Sequence, residues 1–297
     1  MNTRHRLSGV GVALVTPFTA DGRIDYEALE RMVDYVIAGG VDYIVALGTT
    51  AETPTLYIQE RAVVARYIID RAAGRVPIVL GVGGNSTSEV LDQLREFDMR
   101  GAEAILSVTP YYNKPSQEGL YQHFKVVSEN SPLPIILYNV GGRTGVNMSA
   151  ETTLRIARDF KNVIGIKEAS GNIEQIQEII NRREEGFLVL SGDDGIAIEV
   201  MRRGGDGVFS VAANSFPRSF MKAINLAKEE RYNEAEESFK GLHEAVKALF
   251  KEGNPTGVKC ALNTMGLIGD RLRLPLVKGT PELENLMREL ISKYDLQ

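Results

Sequence analysis

A single cysteine, Cys260, stands in 297 residues, so no intrachain disulfide framework can hold this chain. Basic excess is missing as well: 34 Lys and Arg face 39 Asp and Glu, a formal net charge of −5, which argues against a nucleic-acid or anionic-membrane partner. The longest apolar runs, such as Pro134 to Tyr138 with its flanks, fall far short of the roughly 20 residues that a membrane span needs. The opening MNTRHRLSG carries no apolar stretch of the secretory type, and a cytoplasmic protein is expected. Phosphate-binding signatures are absent too. No Gly-x-Gly-x-x-Gly opens a helix, and Gly81-Val82-Gly83-Gly84-Asn85 lacks the lysine and spacing of a Walker loop, so neither a phosphorylated substrate nor a cofactor is expected. Histidine is scarce: His5, His123 and His243 lie at a terminus and in helical stretches, and none is a persuasive acid or base.

What is present is alternation. Eight short apolar runs rich in β-branched residues recur at spacings of roughly 20 to 35 residues, as strands buried on both faces do. They are Gly11–Val15, Tyr43–Leu47, Ile78–Val82, Ala104–Val108, Ile135–Asn139, Val163–Lys167, Leu188–Ser191 and Gly207–Val211. Helix signals fall between them: Asp25 before YEALERMVDYVIA closed by Gly39, a capping box Ser86-x-x-Glu89, Ser149 before AETTLRIA, and Asn172 before IEQIQEII. Eight such units predict an α/β fold of the closed (β/α)8 TIM-barrel type over a doubly wound sheet. After about Ser219 the strands stop and helical patterns continue, the last starting at Thr280-Pro281. The expected division is a catalytic barrel over residues 1–218 and a C-terminal helical region over 219–297. No linker separates the two, so the helical region is expected to pack on the barrel or on another subunit, with a structural role. Cys260 is expected to be a buried apolar residue there.

Barrel active sites lie at the C-terminal ends of the strands, which narrows the candidates to the residues finishing each run. Strand 2 ends Leu47-Gly48-Thr49-Thr50, strand 4 Thr109-Pro110-Tyr111-Tyr112, strand 5 Tyr138-Asn139 with Arg143 beyond, and strand 6 Lys167-Glu168. An ammonium held in such a place is partly desolvated, and desolvation favours the neutral amine that can attack a carbonyl. A lysine paired with a core carboxylate fits the position of Lys167 equally well, and Tyr138 alone would suit a core aromatic. Together they suit a Schiff base served by a phenol that moves protons. Thr49 and Thr50 could be helix caps, and Arg143 a surface ion pair, but the glycines around Arg143 also suit close approach of a carboxylate. The adjacent Asp193 and Asp194 read as a loop plus an N-cap, and no metal is expected.

In order, Gly48-Thr49-Thr50-Ala51-Glu52, Tyr111-Tyr112-Asn113-Lys114-Pro115, Tyr138-Asn139-Val140 with Arg143-Thr144-Gly145, and Gly165-Ile166-Lys167-Glu168-Ala169-Ser170 resemble the dihydrodipicolinate synthases of the N-acetylneuraminate lyase family. The likeness runs over nearly the whole chain, including Ser191-Gly192-Asp193-Asp194, Asn254-Pro255 and Lys259. It implies a lyase joining pyruvate to L-aspartate 4-semialdehyde on the route to lysine and diaminopimelate. Lys167 would form the imine and Tyr138 would exchange protons above it, with Thr50 and Tyr112 completing a relay. Thr49 and the Thr50 backbone would hold the pyruvate carboxylate, Phe209 would contact pyruvate, and Arg143 would receive the carboxylate of the semialdehyde. The resemblance also implies a homo-oligomer, a dimer or tetramer, in which Tyr112 enters the neighbour's site.

Departures are few. Ala51 stands where the family usually has Gly, and Gly141 where Pro is common. Lysine-inhibited relatives often carry His where Ile58 and Arg61 stand here, whereas Asn85, Glu89 and Tyr111 match a lysine pocket, so a lysine effector stays open. The rival activity is that of an N-acetylneuraminate lyase or a 2-keto-3-deoxy sugar acid aldolase, sharing Lys167 and Tyr138 but binding a polyol. A non-catalytic 2-oxo acid binder would have lost one of the two.

Overall fold

Strands of Val, Ile and Leu buried on both faces belong to a parallel sheet covered by helices, and in this chain closure removes the sheet's edges altogether. The computed structural model describes residues 3–296. Its parallel strands are β1 (Gly9–Ala13), β2 (Tyr43–Ala46), β3 (Ile78–Gly81), β4 (Ala104–Val108), β5 (Ile135–Asn139), β6 (Val163–Glu168), β7 (Leu188–Ser191) and β8 (Gly207–Ser210). They pair in sequence order, and β8 returns to β1 through Gly9↔Gly207 to Val12↔Ser210. Each strand is followed by a helix: α1 (Tyr26–Ala38), α2 (Ile58–Ala72), α3 (Thr87–Glu96), α4 (Gln117–Asn130), α5 (Ala150–Asp159), α6 (Ile173–Arg182), α7 (Ala197–Arg202) and α8 (Pro217–Lys228). Then come α9 (Tyr232–Phe250), α10 (Thr256–Thr264) and α11 (Pro281–Tyr294). The division expected at 218/219 runs through α8. No helix among the described residues is long and apolar enough to cross a membrane.

The helix starts follow the sequence where a side chain caps them. Asp25, Ser149, Asn172 and Thr280 accept from the N–H of Ala28, Thr152, Gln175 and Leu283. The capping box at Ser86 does not form. Ser86 precedes α3, but its hydroxyl is bonded to that of Ser88 at 2.9 Å, while Thr87 Oγ1 bonds His123 Nδ1 at 2.8 Å. Strand β1 also starts two residues before the expected Gly11, because pairing with β8 begins at Gly9. Cys260 is buried and free.

Two apolar cores result, one between strands and helices and one inside the barrel. The inner core is floored by Tyr43 and Phe209, whose rings meet edge to face at 5.5 Å. A Cβ on Gly11 would fall 2.0 Å from the Tyr43 ring, so only glycine leaves room for it. Strand β6 carries an irregularity that matters more. Ile135 pairs with Val163 but Ile136 with Gly165, so β6 has one extra residue and its alternation changes phase. Ile164 lies in the inner core, Ile166 faces the helices, and Lys167 is buried beside Tyr138, another inner-core residue. In regular alternation from Ile164, Lys167 would face outward.

Candidate active site

Lys167 pairs in register with Tyr138 on the neighbouring strand, and both side chains are buried. Its Nζ lies 4.2 Å from the centre of the Tyr138 ring and 5.4 Å from that of Phe209. Among the described residues no carboxylate stands within ion-pair distance of it. The adjacent Glu168 points to the other face of the strand, accepting from Asn139 Nδ2 at 3.2 and 3.0 Å, from Gln175 Nε2 at 3.1 Å and from the Ser170 N–H at 2.7 Å. The core lysine–carboxylate pair is elsewhere: Lys259 Nζ and Glu52 Oε1 are 2.5 Å apart with neither side chain exposed. The two lysines therefore divide the two roles open to Lys167 from sequence. Gly192 makes space for the stem of Lys167, since a Cβ there would lie 3.1 Å from its Cε and 2.5 Å from Ala169 Cβ.

A cavity of about 540 Å³ opens above Lys167 and is lined by Thr49, Thr50, Tyr138 and Arg143, the size range of a small-molecule site. The threonines occupy a 3-10 turn, Thr49–Ala51, with Gly48 before it, so they do not cap the following helix. Thr50 is buried, and its Oγ1 accepts from Asn254 Nδ2 at 2.9 Å. An amide nitrogen can only donate, so the single hydroxyl proton of Thr50 is free to point into the cavity. No direct hydrogen bond joins Thr50 to Tyr138 among the described residues, and catalytic contacts of this kind tighten when substrate is bound.

Arg143 sits in a helical turn, Gly141–Thr144, and makes no ion pair among the described residues; its guanidinium donates to the Asn254 carbonyl at 3.4 Å. Asn254 thus links the threonine turn to the arginine. The site takes more from the C-terminal helices than a structural role implies, for His243, Lys247 and Phe250 of α9 also line the cavity. Strand-end logic missed them because they approach from a helix laid across the mouth; the polar His243 and Lys247 one turn apart on α9, beside apolar Val246 and Phe250, were the available signal. Asp193 and Asp194 diverge. Asp193 accepts from Gly195 N–H as a cap, while Asp194 is buried and its Oδ2 accepts from the N–H of Val211 and Ala212.

Two expected residues stand apart. Phe209 lies under Lys167 and does not line the cavity above it. Tyr112 is 88% exposed, with a left-handed φ of 71°, and is not brought to Lys167 of its own chain. Beside the main cavity a smaller one, about 270 Å³, shares Thr49, Tyr138 and Arg143 and extends to Tyr111 and Arg61. Burial lowers the Arg61 guanidinium from its usual range, opposed by Tyr111 and Glu89 nearby.

Comparison with known proteins identifies the family. The model of the dihydrodipicolinate synthetase family matches residues 6–294. The chain is 51% identical over 291 residues to a 4-hydroxy-tetrahydrodipicolinate synthase of Parabacteroides distasonis, covering 98% of each. The crystal structure of a dihydrodipicolinate synthase from Thermotoga maritima matches with a TM-score of 0.95 at 42% identity, over 99% of this chain and 100% of that one. One from Cyanidioschyzon merolae with lysine bound matches with a TM-score of 0.94 at 34% identity, over 99% and 100%.

Proposed function

Since the chain belongs to the dihydrodipicolinate synthetase family, we propose that it condenses pyruvate with L-aspartate 4-semialdehyde to 4-hydroxy-tetrahydrodipicolinate through an imine on Lys167. The observation that carries this is a buried lysine with no carboxylate partner among the described residues, set against a tyrosine ring at the floor of a cavity that also holds two threonines and an arginine. The neutral amine of Lys167 attacks C2 of pyruvate, and the carbinolamine loses water to give the imine. Loss of a C3 proton gives the enamine, whose C3 bonds to the aldehyde carbon while the aldehyde oxygen takes a proton to become the hydroxyl. The amine of the second substrate then attacks the imine carbon, closing the ring and releasing Lys167. One water leaves per turnover.

Tyr138 is the group placed to carry these protons, with Thr50 beside it and Tyr112 arriving from a partner subunit. Thr49 and the Thr50 backbone hold the pyruvate carboxylate, Arg143 takes that of the semialdehyde, and Phe209 supports the imine from beneath. The charged Arg143 and the hydroxyls favour this substrate over a polyol. Lysine is the effector we assign to the smaller cavity, where Arg61 and Tyr111 face the space its carboxylate would enter. We place the protein in the cytoplasm as a homo-oligomer. Borohydride added with pyruvate is expected to leave a reduced pyruvyl mass on Lys167. Unmodified Lys167 after that treatment would overturn the mechanism.

A further inference from the structure

A fully buried ion pair is weak evidence for stability, because desolvating both charges costs about as much as their attraction returns. Glu52–Lys259 is such a pair, and its surroundings are unusually demanding. Lys259 Nζ also donates to the Arg271 carbonyl at 3.0 Å and lies 4.2 Å from the centre of the Phe18 ring. Glu52 Oε2 accepts from the Arg273 N–H at 3.0 Å. The backbone of Glu52 is in the left-handed region, φ 57°, a conformation that a residue other than glycine adopts only when its surroundings hold it there. What that backbone closes is the threonine turn. Glu52 N–H donates to the Thr49 carbonyl at 3.1 Å, and its own carbonyl accepts from Thr55 N–H at 2.8 Å and Thr55 Oγ1 at 2.9 Å.

We infer that Glu52 and Lys259 are positioning residues: their ion pair anchors the Thr49–Thr50 turn to α10 so that it presents its hydroxyls and N–H groups to the pyruvate carboxylate. This rests on the carboxylate role assigned to that turn above. The same short segment grips the turn twice, since Asn254, just before α10, donates to Thr50 Oγ1. Five residues later Lys259 fixes the turn's last residue from below. A turn held at Thr50 and again at Glu52 keeps its donors aimed without a bound ligand, and such preorganisation favours binding of a small anion.

An apolar double variant, Glu52→Met with Lys259→Met, separates this from a role in stability alone. Removing both charges is expected to recover most of the thermal stability that Lys259→Met alone loses. The pyruvate concentration for half-maximal borohydride trapping of Lys167 is nevertheless expected to rise about tenfold or more, with the KM for the semialdehyde changed by less than about twofold. Trapping by the folded double variant at the parent's pyruvate concentration would overturn the inference. Glu52→Asp, which keeps the carboxylate but shortens its reach, serves if the double variant does not fold; it too must need more pyruvate, and parent-like trapping counts equally against the clamp. Parent protein is the control: if it fails to trap pyruvate, the imine mechanism falls, whereas normal trapping by parent and variants alike removes only the role of the pair.

Discussion

Lys167 and Lys259 show what a single residue discloses. In sequence each is a lysine in an apolar context, and only the fold reveals that one faces a carboxylate and the other an aromatic ring above open space. Arg143 is equally ambiguous in sequence, and its lack of an ion-pair partner among the described residues makes it available to a ligand. Arg143→Ala is expected to cost roughly 2 to 4 kcal/mol of transition-state binding, about 30- to 1000-fold in kcat/KM for the semialdehyde, while pyruvate trapping persists. Equal loss of trapping in a pyruvate titration would count against that role. Asp194 gives a prediction in pH. Burial pushes its carboxyl up to about 6, against the hydrogen bonds from the Ser210 hydroxyl and from the N–H groups of Ala212 and Val211. A folded value above the unfolded one means that the folded state binds the proton more tightly. The stabilisation from this group is therefore present at about pH 4 and lost as pH rises through about 6. Asp194→Asn keeps the acceptor and adds a donor. It should match the parent in thermal melts near pH 4 and exceed it by up to about 3 kcal/mol above pH 6. A stability gap that does not widen with pH would contradict a desolvated carboxylate at this position.

Among the elements, those defined by local chemistry were legible and those defined by pairing were not. The spans Ala104–Val108, Ile135–Asn139 and Leu188–Ser191 are strands over the very residues expected, and four of the side-chain caps formed where the sequence put them. The start of β1 and the extra residue in β6 depend on what the neighbouring strand bonds to, which no local pattern records. The β6 irregularity decides the chemistry, because it turns Lys167 inward. Gly165 sits at that irregularity, and a Cβ there would lie 2.7 Å from Leu188 Cβ and 2.8 Å from the Leu188 carbonyl oxygen. Gly165→Ala is expected to force β6 and β7 apart, costing about 1 to 3 kcal/mol in urea unfolding and slowing pyruvate trapping through displacement of Lys167. An alanine variant with the parent's midpoint and trapping rate would mean that β6 tolerates the side chain. Helix α9 shows the opposite case. The stretch reads as helical in sequence, but neither the bounds of α9 nor its place over the cavity is legible there, since a helical pattern does not say which barrel opening it crosses.

At the scale of the whole molecule, the loop after β4 holds one side chain, that of Tyr112, away from its own chain's Lys167. Tyr112 and Lys114 both have left-handed φ, 71° and 43°, in the loop after β4. A non-glycine residue in that region is disfavoured by about 1 to 2 kcal/mol, and here the conformation leaves a large aromatic side chain in solvent. Such an arrangement is sensible if a second copy receives it. Exposed tyrosines commonly anchor interfaces, and a two-fold axis would exchange two such loops. Each site would then combine Lys167 and Tyr138 of one chain with the partner subunit's Tyr112. Tyr112→Phe chains keep Lys167 but lack the hydroxyl, whereas Lys167→Ala chains keep Tyr112 but cannot form the imine, and each alone should be nearly inactive. In a mixed dimer, the chain with intact Lys167 receives an intact Tyr112 from the other, restoring one of the two sites. Mixed dimers isolated through two affinity tags should therefore regain up to about half of the parent dimer's activity. If they stay as inactive as either variant alone, Tyr112 acts within its own subunit or plays no part in the reaction.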